Sequence, residues 1–370
     1  MLMTTITPYG PAKTEMTSEP PLVEDAEKMN LRHLLAINLK AEGDPRYPPF
    51  SQGEDNVAQP TYVNQPIQHP ELYETFLSRL RDIVSGDGKD GTPPIDAVSF
   101  THLPEMDPPS ERLCQAVDGL RPRLLELECG WDEYCDLKSF DGLETKFPLE
   151  TLVISGACGE EVQLVSEYLS CVHTLNLHYS HNLCFPRIPP PLALRNMIMT
   201  ENDAMDSFIR LSDTTHMIDR LESLKLTSTN GCDFYRFEAP EFLAALKKAT
   251  ILRQLDLVTD HRSRWVDPYN LNDLPSHLPE NLEQFSFRGA PGIITDATPW
   301  LDLVSSPAWL PNLRESSFRL DQPRRQSSNT ETGDEGVAQT DAEEIAAAEK
   351  TAHWIKTTLA DNRPNVDVTF

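Results

Sequence analysis

Leu221-Glu-Ser-Leu224-Lys-Leu226 has the form apolar-x-x-apolar-x-apolar, and the form returns at Leu252-Arg-Gln-Leu255-Asp-Leu257. Clear copies also stand at Leu149-Glu-Thr-Leu152-Val-Ile154, Val172-His-Thr-Leu175-Asn-Leu177, Leu282-Glu-Gln-Phe285-Ser-Phe287 and Leu313-Arg-Glu-Ser316-Ser-Phe318. Weaker copies begin at Ile95, Leu124 and Leu194. The fourth positions of these nine copies follow one another at steps of 22 to 31 residues. A self-similar period of roughly 20–50 residues is the mark of a repeat architecture.

The last apolar-x-apolar triplet of each copy reads as a short strand, because successive side chains of a strand alternate between faces. Its apolar residues point into the stack and the intervening ones point out. Between copies the chain must return by one layer. Pro70–Val84, Pro109–Leu120, Glu160–Leu169 and Pro240–Lys248 carry apolar residues at helical spacing and serve as such returns. Pro148-Leu149 and Pro311-Asn-Leu313 end a return just before a strand, where proline stops a helix and favours extended backbone. One layer cannot bury its apolar face alone, but a stack can.

The ends differ. Residues 1–30 read as a flexible N-terminus, and 31–320 as the repeat region, clearest over 95–320. Leu34-x-x-Ile37-x-Leu39 is the candidate first copy, followed by a Pro-, Gln- and Asn-rich loop over 41–66. Residues 321–340 are almost devoid of apolar side chains and read as a disordered acidic linker. Residues 341–370 read as a cap. A helix from Asp341 carries Ile345, Ala348, Ala352, Ile355 and Leu359 on one face, with Asp341 and Glu344 as an N-cap pair, and Asn365–Phe370 alternates as a closing strand.

At this point the copies resemble the leucine-rich repeat superfamily, in the divergent style of fungal F-box-associated proteins. Val304-Ser-Ser-Pro-Ala-Trp-Leu-Pro-Asn-Leu-Arg314 carries that likeness most plainly. Ser316 departs from the pattern at an apolar anchor, and the Asn expected after each strand is displaced to Asn182 or Asn230. The resemblance implies an α/β fold: a curved leucine-rich-repeat-like solenoid of short parallel strands with mostly helical returns. It implies a strand face that binds proteins.

Asp and Glu number 58 against 32 Lys and Arg, a formal net charge of −26. Such acidity speaks against a phosphate-backbone binder and against an anionic membrane surface. No apolar run reaches the roughly 18 residues of a membrane helix. The 7 Cys are scattered rather than paired, and the first residues lack a signal-peptide pattern. The expectation is an intracellular protein, cytoplasmic or nuclear, with a protein partner, no nucleic acid and no membrane.

The chemistry-bearing motifs are few. His178-x-x-His181-x-x-Cys184 has zinc-like residue types but reads as a polar turn, so no metal or cofactor is expected. Cys158 within Gly156-Ala-Cys158-Gly lacks an identifiable base, which a nucleophile needs. Pro70-Glu-Leu-Tyr-Glu-Thr-Phe-Leu-Ser-Arg-Leu80 loosely resembles the first helix of an F-box. Arg324-Arg-Gln-Ser327-Ser328 suits a basophilic kinase, which would add charge beside the cap.

The expected working surface is therefore the exposed strand face. The 27 face positions of the nine copies are largely Ser, Thr, Asn and Gln and sum to a charge of −1, so the acidity lies elsewhere. The candidate partner-binding residues are Glu126, Glu128, Thr151, Asn176, His178, Lys225, Asp256, Arg288 and Arg319. The expected function is a non-enzymatic protein–protein interaction module. Its alternatives are the substrate-recognition subunit of an SCF-type ubiquitin ligase, docking an adaptor through Pro70–Val84, and a hydrolase with a site near Cys158 or His178.

Overall fold

The computed structural model describes residues 1–7, 11–16, 29, 31–38, 70–89, 91–103, 109–129, 147–156, 162–163, 171–180, 183–184, 193–215, 217–229, 233–234, 239–259, 270–321 and 335–369. From the N-terminus the elements are β1 (Leu2–Ile6), β2 (Lys13–Met16), β3 (His33–Asn38), α1 (Pro70–Gly86), β4 (Ala97–Leu103), α2 (Pro109–Ala116), β5 (Leu124–Cys129), β6 (Thr151–Ser155) and β7 (Val162–Gln163). After them come β8 (Thr174–His178), β9 (Leu183–Cys184), β10 (Asn196–Glu201), α3 (Ala204–Thr215), β11 (Ser223–Ser228), α4 (Ala239–Lys248) and β12 (Gln254–Val258). The last are β13 (Gln284–Arg288), α5 (Thr298–Val304), β14 (Glu315–Arg319), α6 (Glu335–Asn362) and β15 (Asp367–Thr369). The chain forms two compact units, 1–172 with 180–186 and 173–179 with 187–370.

In the first unit the strands lie in the order β2-β1-β3-β4-β5-β6, and only β1 and β2 run antiparallel. Thr5, Ala36, Ser99, Glu126 and Val153 form one register row, so the residues on either side of them form two further rows on the opposite face. Those rows are Leu35, Val98, Leu125, Leu152 and Ile6, Ile37, Phe100, Leu127, Ile154, all buried. In the second unit β8-β10-β11-β12-β13-β14-β15 are parallel throughout. Its inward rows are Leu175, Met197, Leu224, Leu255, Phe285, Ser316 and Leu177, Met199, Leu226, Leu257, Phe287, Phe318. Parallel neighbours need a crossover on one side of the sheet, and α1, α3 and α4 supply it. Ser316 keeps its inward position; it is buried opposite the large ring of Phe285.

At or just past the ends of two strands, where the sequence lacks a regular Asn, short hydroxyl side chains stand. Ser180 Oγ donates to the Ile154 carbonyl at 3.2 Å. Ser228 Oγ accepts from the Ala204 N–H at 3.1 Å and donates to Asp233 Oδ1 at 2.7 Å. Asp233 also accepts the Met205 N–H at 3.2 Å, so a carboxylate meets the first turn of α3, where its charge suits the helix dipole.

Several expectations are corrected. Residues 2–6 and 13–16, expected as flexible, are strands, because Thr4 is buried between the Thr14 hydroxyl and His33 Nε2, each at 2.9 Å. The first copy sits two residues earlier than expected, with Leu35 and Ile37 as anchors. The Asp96 carboxylate takes the N–H groups of Arg32 and His33 and so fixes where that strand begins. Val162–Gln163, expected within a helix, pairs with Leu183–Cys184; the rest of 160–169 lies outside the described residues. α6 begins at Glu335, so Asp341 is interior to the helix and not its cap. Ala348, Ala352, Ile355 and Leu359 are buried as expected, while Ile345, one turn earlier, is exposed.

The residue just before most of the parallel strands alternates in sign, a pattern that lies outside the apolar repeat; His173 holds that place before β8. The series is Asp96, Arg123 and Glu150 in the first unit, and Arg195, Glu222, Arg253, Glu283 and Arg314 in the second. Their backbones form a ladder, with N–H to carbonyl distances of 2.8 Å for Arg123 to Asp96 and Arg253 to Glu222, and 2.7 Å for Glu283 to Arg253. The side chains pair alongside: Arg123 with Glu150 at 2.7 Å, Arg195 with Glu222 at 3.4 Å, and Glu283 with both Arg253 and Arg314 at 3.2 Å. Each exposed pair is worth at most about 1 kcal/mol. Their alternation does more, because a strand displaced by one layer would bring like charges together. Arg253→Glu is expected to lower stability by about 1 kcal/mol. Adding Glu283→Arg should leave the loss largely in place, because two arginines then adjoin at 283 and 314. Full recovery of the denaturant midpoint would mean that the pairs act singly.

Candidate functional site

The outward rows of the second unit run across six or seven strands. The middle row is Asn176, Ile198, Lys225, Asp256, Ser286, Ser317 and Thr369. One side of it carries His178, Thr200, Thr227, Val258, Arg288 and Arg319. Except for Asn176, these side chains are half-buried or exposed. The face is mostly polar, with Ile198 and Val258 among hydrogen-bonding groups, and is stepped by the strand spacing of about 4.8 Å. Of the expected residues, Lys225 and Asp256 are neighbours in register, as are Arg288 and Arg319. His178 is half-buried at the β8 end. Asn176 is only 2 % exposed, and its Oδ1 has no hydrogen-bond partner among the described residues.

At the β14 end of this face the cations lie on one side of the middle row, and Glu315 and Asp367 stand in register on the other. Arg288 Nε donates to Asp321 Oδ1 at 2.8 Å, and Arg319 stands beside it in register. Lys356 of α6 joins them: burial lowers its pKa, and the Arg319 charge lowers it further, while Asp321 opposes. Three cations thus gather beside Asp321, a corner suited to an acidic group.

The first unit differs from what was expected of it. Its corresponding face is not exposed. Thr151 is 3 % exposed and Glu126 4 %, with Ser99, Leu34, Ala97, Leu124 and Val153 also buried; Glu128 is half-buried. Glu126 and Thr151 therefore do not stand on an open surface. The physical reason is that the intervening positions of these strands are apolar as well, and Met1, Met3 and Met29 pack onto them. Burial pushes the Glu126 carboxyl above the usual carboxylate range; a hydrogen bond from Ser99 opposes this and the neighbouring Glu128 charge adds to it. Its Oε1 has no hydrogen-bond partner among the described residues. Between the unfolded and the raised folded pKa the native state holds the extra proton, so stability falls as pH rises through that window. Glu126→Gln is accordingly expected to stabilise the protein at neutral pH and to lose that gain in acid. Urea unfolding at several pH values checks it; a gain that is constant with pH would contradict it.

Ser327, Ser328, Cys158 and His181 lie outside the described residues. Among the described residues no group of three or more His, Cys, Asp and Glu side chains is arranged to hold a metal ion. No described helix is long and apolar enough to cross a membrane. Comparison with family models, with curated proteins and with solved structures finds no match to this chain.

Proposed function

We propose that the protein is a non-enzymatic interaction module of leucine-rich-repeat-like solenoid type, and that the strand face of its second unit is the partner surface. The observation that carries this is the in-register, mostly polar face from β10 to β14, half-buried to exposed, on a buried backing that is apolar except for Ser316. A rigid backing holds the face side chains in fixed positions, which lowers the ordering cost of binding. The partner chemistry at the β14 end is an acidic segment, matched to Arg288, Arg319 and Lys356. The ligase-receptor reading is less favoured, because the apolar face of α1 is already used. Tyr73, Phe76, Leu77 and Leu80 are buried, and burial pushes the Tyr73 hydroxyl up to about 12.

The test is capture on the immobilised chain. With Arg288→Glu and Arg319→Glu together, recovery of a stoichiometric partner should fall at least about ten-fold, the effect of losing roughly 1.4 kcal/mol of binding. Lys247→Glu with Lys248→Glu on α4 should leave it unchanged. Equal recovery by both variants would remove the face from the binding surface.

A further inference from the structure

Of the three methionines that pack on the covered face of the first unit, Met1, Met3 and Met29, the last is held by polar contacts from Arg123 and Thr151. Met29 packs against the cluster of Leu31, Leu34, Ala97, Leu124 and Val153. Its sulfur accepts a hydrogen bond from Thr151 Oγ1 at 3.3 Å, and its backbone carbonyl accepts one from Arg123 Nη1 at 3.2 Å. Glu150 holds Arg123 in place, its two oxygens accepting from Nε at 2.8 Å and from Nη2 at 2.7 Å. That fork leaves the third nitrogen turned toward the Met29 carbonyl. An anchored guanidinium for a main-chain oxygen, an apolar floor for a side chain and a hydroxyl for its polarisable atom are the parts of a peptide site.

We infer that the strand face of the first unit is a peptide-binding site filled in cis by Met29, and that its ligand class is a short segment presenting an unbranched apolar side chain beside a free backbone carbonyl. The flexible thioether suits this floor, since methionine adapts to shallow apolar surfaces at low packing cost. The site is independent of the partner proposed for the second unit. A ligand in trans must displace Met29, so its apparent affinity is reduced by the fraction of time the site is empty.

The probe is a fluorescein-labelled peptide with this chain's own residues 24–31, Glu24-Asp-Ala-Glu-Lys-Met29-Asn-Leu31, read by anisotropy against the full-length protein. It should bind the Met29→Asp variant at least about ten-fold more tightly than wild type, as expected if the cis occupant fills the site nine-tenths of the time or more. A peptide with Asp at the Met29 position should bind neither. Equal binding to both proteins, no binding to the variant, or binding of the Asp peptide would each overturn the inference. Should Met29→Asp not fold, Thr151→Cys decides. Maleimide labelling of that position, mapped by mass spectrometry, should be about ten-fold faster when Met29→Ala is added. Equal rates would show that Met29 does not close the face.

Discussion

Trp300→Ala is expected to lower stability by about 3–5 kcal/mol, the usual cost of emptying a buried aromatic site. Trp300 is fully enclosed on α5 and faces the inward row of the last strands. Its ring lies 6.3 Å from Phe285, 6.0 Å from Phe287 and 4.9 Å from Phe318, and Phe287 stacks on Phe318 at 5.2 Å. The indole N–H donates to the Leu271 carbonyl at 3.3 Å. The upstream strands of this unit fill the same rows with Leu and Met. Here phenylalanines flank an inward Ser316, so one large side chain must enter from the helix to close the space. Neighbouring strands cannot collapse into the void without breaking their ladder. Trp300→Phe retains most of the volume and should cost less than half as much. Denaturant unfolding followed by the remaining tryptophans checks both; a loss below about 1 kcal/mol for alanine would mean the cluster is not the core of this end.

Arg363→Ala is expected to cost about 3 kcal/mol, because it strands buried carbonyls that charged donors now satisfy. Arg363 is buried just past α6. Nη1 donates to the Trp309 carbonyl at 2.7 Å and to that of Leu310 at 3.3 Å; Nη2 reaches Leu310 at 3.3 Å and Leu313 at 3.4 Å. These carbonyls belong to the turn leading into β14, and Leu310 has a positive φ of 43°. One guanidinium thus binds the C-terminal helix to the strand it covers. The loss should also appear locally, as faster proteolysis within α6 before global unfolding. Arg363→Lys has three donors but no planar fork, so it should recover only part of the stability. A variant with wild-type stability and unchanged proteolysis would contradict this role.

The legible part of the fold was the part that repeats. The apolar-x-x-apolar-x-apolar pattern from 172 to 318 marked the strands because one face of each is apolar and the other mostly polar. The first unit was harder to read for a definite reason. Its strands β4, β5 and β6 are buried on both faces, and such strands read as near-continuous apolar runs rather than alternations. Leu124-Leu125, Ala97-Val98 and the Leu-Val-Ile of 152–154 carried that signal. The polar residues among them, Ser99, Glu126 and Thr151, looked like an exposed face. β1 was missed because its inward Thr4 is polar and is matched by His33 and Thr14, partners distant in sequence. Arg123 and Met29 were invisible as a pair, since 94 residues separate them. The alternating strand-entry charges were readable but fell outside the apolar pattern.

The two strand faces thus divide in character. That of the second unit is open and polar, with Arg288 and Arg319 side by side at one corner; that of the first is closed by the chain itself. A photo-crosslinking amino acid at Ser286, in the middle outward row, tests the proposed use of the open face most directly. The control is the same group at Ala244, an exposed position on α4. The expected result is a covalent adduct with a captured partner from position 286 and none from 244. Adducts from 244 alone, or equally from both, would contradict it.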